Sequence, residues 1–238
     1  MRETAHLRQV NGSSIFYVVH EANTKRIVIF CHGFRGTSVG PSRSFVDVAR
    51  KLAGNGISSL RFDQNGSGNS AGDFIDSSFY DWVSTTKALA LEYVNQGYEV
   101  VLFGQSMGGA TVIDVASQIS TIKAIVVWVP DPNIDDGNLD NDEIFEEGGQ
   151  LIKGMYWHEA RESEIAKKLH IVRCPAYIVQ CANDEYVSDV NHEAILTSAQ
   201  PNHKVEMFEG YSHSSWTNQQ FQEVIGKSTD FIINTFQG

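Results

Sequence analysis

Two apolar patterns take turns along the chain. Short β-branched runs bounded by turn residues read as strands, and longer stretches with apolar positions every three to four residues read as helices. The runs predict eight strands: His6–Val10, Ile15–His20, Ile27–Cys31, Ile57–Phe62, Val100–Phe103, Ala124–Trp128, Ala176–Gln180 and Lys204–Phe208. "VNGSS" between the first two has the composition of a hairpin turn. From Ile27 onward the spacing changes, and helices are predicted over Ser44–Asn55, Phe79–Gln96, Gly109–Ser120, Val190–Ala199 and Gln219–Phe236. Strand–helix alternation of this kind predicts an α/β fold, a mostly parallel eight-stranded sheet with helices on both faces, opened by an antiparallel hairpin.

One interval breaks the rhythm. Between Trp128 and Cys174 the chain is too long for a simple crossover, and Asp131 to Gln150 carry eight acids with no Lys or Arg. Such a stretch is either a solvated acidic loop or a lid, because long inserts at the carboxyl end of a strand often cover a site. Phe145, Met155, Tyr156 and Trp157 favour the lid and are its candidate substrate-contacting residues. The expectation is one domain over 1–238 with 131–173 as a cap inserted after the sixth strand.

Composition narrows the partners. A net charge of −11 over 238 residues repels phosphate backbones and anionic membranes, so nucleic acid and membrane are not expected partners. "MRETAHLRQV" has no apolar core of a signal peptide, and the longest apolar run, Ala124–Val129, is too short to span a bilayer, which together predict a soluble cytoplasmic protein. Cys31, Cys174 and Cys181 have neither metal-site spacing nor an even count, so each is read as a small buried hydrophobe. Oligomeric state is left open, a homodimer included.

The chemistry concentrates at strand ends. "VVLFGQSMGG" places Ser106 between a strand and a helix, with Gly104 and Gly108 where side chains would collide with neighbouring backbone. The absence of a Lys-Ser/Thr pair after the glycines argues against a phosphate loop. A serine nucleophile needs a base and an orienting acid. His213, in the loop "FEGYSHSSW" after the last strand, is the base, and Asp184, in "QCANDEYV" after the strand before it, is the acid, with Glu185 and Asp131 as competitors. "FCHGF" at the end of the third strand supplies a turn from which the Phe34 N–H, with that of Met107, can receive a developing oxyanion. His32 is then structural, as are Asp63, Asn65, Gly66 and Gly68, and Trp216 is read as an anchor for the last helix. Nothing in this chemistry calls for a metal or an organic cofactor.

With the order Ser106, Asp184, His213 on the page, the motifs "HGF", "LRFDQNGSGNSAGDF", "GQSMGG", "NDEYV" and "EGYSH" resemble those of the serine-hydrolase branch of the α/β-hydrolases, and most of all the small bacterial cinnamoyl or feruloyl esterases. The resemblance implies a Ser106–His213–Asp184 triad, an oxyanion hole at Phe34 and Met107, and a small cap. The chain departs from the pattern at Gln105, where His is frequent, at Met107, where Gln is frequent, and at Cys181, where Gly often precedes the acid. None of these removes a catalytic group. The implied activity is hydrolysis of a small-molecule ester with a small or aromatic acyl group. Monoacylglycerol lipase-like, acyltransferase or peptidase activity would use the same residues, and so would a receptor-like binding protein with poor turnover.

Overall fold

The computed structural model describes residues 2–131 and 139–238. Eight strands, β1 (Arg2–Val10), β2 (Ser13–Glu21), β3 (Arg26–Cys31), β4 (Ser58–Phe62), β5 (Glu99–Gln105), β6 (Ala124–Trp128), β9 (Ala176–Cys181) and β10 (His203–Phe208), form one sheet in the order β1-β2-β4-β3-β5-β6-β9-β10. A separate hairpin of β7 (Ile144–Glu147) and β8 (Gln150–Lys153) lies in the insertion. β1 pairs antiparallel with β2, and β2 antiparallel with β4, while every other pairing in the large sheet is parallel. The α/β architecture expected from the sequence is present.

The central strands are continuous apolar runs because both faces are covered. Their alternation splits the core in two: Ile27, Ile29, Val100 and Leu102 face one cluster, and Val28, Phe30, Val101 and Phe103 face the other. Helices α1 (Ser44–Gly54) and α7 (Asn218–Gln237) cover the second face. On the first lie α2 (Phe79–Asn95) and α3 (Met107–Gln118), joined from the insertion by α4 (Gly154–Glu162) and α5 (Ile165–Ile171) and, further along, by α6 (Asp189–Ser198). α7 begins at a capping box in which Thr217 and Gln220 exchange side-chain-to-backbone hydrogen bonds. Trp216, just before it, packs on Trp128, Tyr211 and Phe221 and is the anchor its position suggested. No helix among the described residues is long and apolar enough to cross a membrane.

Two features position the site. The chain steps from β3 outward to β4 and then back across to β5, so strand order reverses between β3 and β5, and a crevice opens outside their carboxyl ends. The turn after β4 is tied beneath it: buried Asp63 accepts from the Ser38 N–H (2.6 Å) and the Asn69 N–H (2.8 Å), and a Cβ on Gly68 would stand 2.1 Å from its Oδ2. Asp63 and its glycines are therefore braces, as expected.

The insertion differs from an acidic loop. Gly148 and Gly149 take positive φ (55° and 80°) and close a two-residue hairpin turn. α4 and α5 then bury Tyr156, Ala160, Ile165 and Leu169 in the main core. Asp114, buried on α3, accepts from Ser163 and Lys168, and Glu159 accepts from the Ser78 hydroxyl and the Tyr80 N–H at the start of α2. The second half of the insertion is thus part of the body of the protein.

Candidate active site

Ser106 stands between β5 and α3 with φ 55° and ψ −123°, a left-handed backbone that a non-glycine residue adopts only when its surroundings enforce it. The enforcement is visible. Its N–H donates to Trp128 O (2.8 Å) on β6, and its own carbonyl accepts from Gly109 (2.7 Å) and Ala110 (3.1 Å). A Cβ on Gly104 would lie 2.3 Å from Gly108 O, and one on Gly108 would lie 2.2 Å from Cys31 O, so strand and helix approach this closely only through glycine.

His213 comes from the loop after β10. Its Nε2 is 2.8 Å from Ser106 Oγ, and its Nδ1 is 2.8 Å from Asp184 Oδ2 and 3.0 Å from Oδ1. Asp184 sits just past β9 and also accepts from the Tyr186 and Val187 N–H groups, each at 2.9 Å. Burial pushes this carboxyl up, but the hydrogen bond and charge of His213 and the two backbone donors outweigh it, and the net shift is downward. Glu185 takes a different part: its Oε2 accepts from the His213 N–H (3.1 Å), holding the loop rather than the ring. Asp131 lines the cleft and accepts from Asn191 Nδ2 (2.8 Å).

The N–H groups of Phe34 and Met107 donate to no group among the described residues, and both residues border the same cleft. Gly33 is required beside them, because a Cβ there would lie 2.5 Å from Gln105 Oε1 and 3.1 Å from Ser106 Cβ. His32 holds the turn from behind: Nδ1–H donates to Gly33 O (2.8 Å) while Nε2 accepts from the Gln64 N–H (2.9 Å), and burial pushes its pKa down, keeping it neutral. Cys31 is inert, its thiol pushed up by burial to about 11.

The cleft has a volume of about 600 Å³. Of the four cap residues expected to touch substrate, Trp157 lines it. Phe145 and Met155 are half-buried away from it, and Tyr156 is wholly buried against Trp82, Phe79 and Phe34. The reason is helical geometry. One residue along α4 rotates a side chain by about 100°, so the turn that sends Tyr156 toward α2 presents Trp157 to the cleft.

The sequence reading did not single out Arg35, Glu147, Tyr186 or Val187, all of which line the cleft. Arg35 follows Phe34 directly, with φ 57°, and pairs with Glu147 of the hairpin (3.5 Å). The Gly148-Gly149 pair was the available signal that a hairpin would deliver Glu147 there. Tyr186 packs edge-on against His213, with ring centroids 5.1 Å apart.

Comparisons with known proteins bear on the fold that carries this geometry. The family profile described as serine aminopeptidase, S33, matches residues 22–138, which include the Phe34 turn and Ser106. Est1E from Butyrivibrio proteoclasticus, solved with ferulic acid bound, superposes with a TM-score of 0.85 at 23% identity, covering 98% of this chain and 100% of that one. The chain has the α/β-hydrolase fold. It also superposes on the GrgF hydrolase of Penicillium sp. sh18, with a TM-score of 0.83 at 13% identity over 100% of both chains. Paleococcus ferrophilus monoacylglycerol lipase gives 0.77 at 16% identity, over 93% of this chain and 99% of that one. No curated protein matches the chain at the sequence level.

Proposed function

We propose that this chain of α/β-hydrolase fold is a serine esterase with Ser106 as nucleophile, His213 as general base and acid, and Asp184 as the group that fixes the imidazole tautomer. The observation that carries the reading is the unbroken line Asp184–His213–Ser106, with 2.8 Å contacts on both sides of the imidazole, opening into a cleft. Ser106 Oγ attacks the ester carbonyl while His213 Nε2 takes its proton. The carbonyl oxygen becomes an oxyanion that receives the Phe34 and Met107 N–H groups, and collapse of the tetrahedral intermediate breaks the bond to the alcohol, which leaves with the proton from Nε2. Water, activated by the same imidazole, then hydrolyses the acyl-enzyme.

Phe34, Met107, Trp157, Tyr186 and Val187 give the cleft apolar walls suited to a planar aromatic acyl group, in keeping with the ferulic acid bound to Est1E. The insertion over 131–173 serves as the selectivity element, and its acids at the cleft mouth disfavour anionic esters, so neutral alkyl esters of hydroxycinnamic acids are the favoured substrates. Part of that acidic stretch, 132–138, lies outside the described residues.

Ser106→Ala should abolish both hydrolysis of p-nitrophenyl acetate and covalent labelling by a fluorophosphonate, in a protein that remains folded. Labelling that persists in the variant overturns the assignment. A second reading, peptide hydrolysis, is favoured by Asp131 and Glu147 on the cleft wall, where carboxylates can hold a peptide ammonium group, and by the description of the matching family. Aminoacyl p-nitroanilides turned over faster than hydroxycinnamoyl esters would select it.

A further inference from the structure

A second groove, of about 500 Å³, lies on the other side of the loop that carries Phe34, between β1, β2, β4 and the start of α1. Arg43, Arg50 and Arg61 line it, an unusual concentration of guanidinium in a chain with a net charge of −11. Glu3 is shared between two of them, accepting from Arg61 Nη2 (2.5 Å) and Arg50 Nη2 (3.3 Å). Arg43 has no carboxylate within ion-pair distance among the described residues. The other carboxylate in the lining, Asp63, is occupied by the Ser38 and Asn69 N–H groups.

The charge is therefore undercompensated where it is most costly. Arg61 is a buried cation, and burial pushes its pKa down; Glu3 opposes this, and the like charges of Arg50 and Arg43 add to the push. On the same sheet face, the register partners His20 and Ser59 keep buried Nδ1 and Oγ atoms without hydrogen-bond partners. An anion placed between Arg43 and Arg50 would relieve this repulsion, and Phe16, Val18, Val39 and Val46 form apolar walls for an organic group attached to it.

We propose that this groove binds a small soluble oxyanion of charge two, of the phosphate-monoester type, through Arg43 and Arg50, with Arg61 behind them. Thr37 borders both this groove and the cleft, and Arg61 Nη1 donates to Ser38 O (2.9 Å), so the bound anion would rest against the loop that presents Phe34. The proposal does not depend on the reaction assigned to Ser106.

The test is calorimetric titration of the full chain with inorganic phosphate and with glycerol phosphate at constant ionic strength, chloride serving as the control. Arg43→Gln and Arg50→Gln are the variants, since both side chains are exposed and the fold does not rest on them, whereas Arg61 is buried. Saturable binding of both phosphates by the wild type, weakened about tenfold or more in each variant, is the expected result. Absence of saturable binding, or affinity unchanged in both variants, overturns the proposal. So does affinity lost with Arg35→Gln alone, which would put the anion in the cleft.

Discussion

The carboxyl edge of the sheet and the insertion above it face the same cleft but are held by different means. At the edge, position comes from backbone: Ser106 is fixed by main-chain bonds to β6 and by glycine contacts that leave no room for adjustment, and Asp184 by two N–H groups of its own loop. The insertion is held by side chains, and unevenly. Its helices are rooted through Tyr156, Asp114 and Glu159, whereas β7 reaches the cleft rim through the Arg35–Glu147 pair, whose side chains are 31% and 39% exposed. The candidate triad thus stands where the fold cannot yield, while the rim of the cleft includes a contact that solvent screens.

Several substitutions would break this contrast or sharpen it. The largest effect belongs to the edge: Asp184→Asn should lower kcat by about 10⁴-fold, because the amide cannot hold the imidazole tautomer. Glu185→Gln and Asp131→Asn should cost much less. Equal losses at 184 and 185 in steady-state assays would contradict the division of labour between ring and loop. The same carboxyl predicts a pH effect. Its pKa is lower in the folded protein than the ordinary 3.8, so its stabilisation is fully present above that value and disappears as pH falls through the lower folded value. Urea unfolding of wild type and Asp184→Asn should give curves that converge with acidification across this window; a constant gap would refute the linkage.

Within the insertion, Tyr156→Ala should cost about 3–5 kcal/mol by leaving a cavity between α2 and α4. Tyr156→Phe should be neutral or stabilising, since the hydroxyl is buried without a partner. Denaturant midpoints measure both, and a Phe variant as damaged as the Ala variant would show that the hydroxyl is engaged. The smallest stability effect is expected at the hairpin: Glu147→Gln should change stability by less than about 1 kcal/mol, with relative kcat/KM across aryl, short-chain and monoacylglycerol esters shifting more than stability does. A destabilisation comparable to Tyr156→Ala would mean that the hairpin is as firmly rooted as the helices.

The pattern of apolar residues located all eight strands of the large sheet and the five longer helices, because most of these elements bury a face and must repeat with their own geometry; β1, of which Val10 alone is buried, was located only over its second half, beside the hairpin turn. The short elements of 144–171 escaped it. Their buried positions, Ile152, Tyr156, Ala160, Ile165 and Leu169, are too few per element to stand out among the surrounding charges, and the backbone turns left-handed at Glu164 between the last two helices. Ser106, Asp184, His213 and Phe34 stood out as candidates because each lies in the segment that follows a parallel strand, and those segments share one edge of the sheet whatever the intervening sequence.

What the sequence determined alone was the set of local constraints: glycine at 104 and 108, the strand–turn–helix around Ser106, and the order of Ser106, Asp184 and His213 along the chain. The tertiary structure decided which carboxylate meets the imidazole, since Asp184 and Glu185 are neighbours in the chain and only their backbone directions separate ring from loop. It also decided that Trp157 faces the cleft while Tyr156 enters the core, and that arginines at positions 43, 50 and 61 share one groove. Contacts of this kind join residues far apart in sequence, and a side chain's direction there depends on the packing of both partners, which no local pattern encodes.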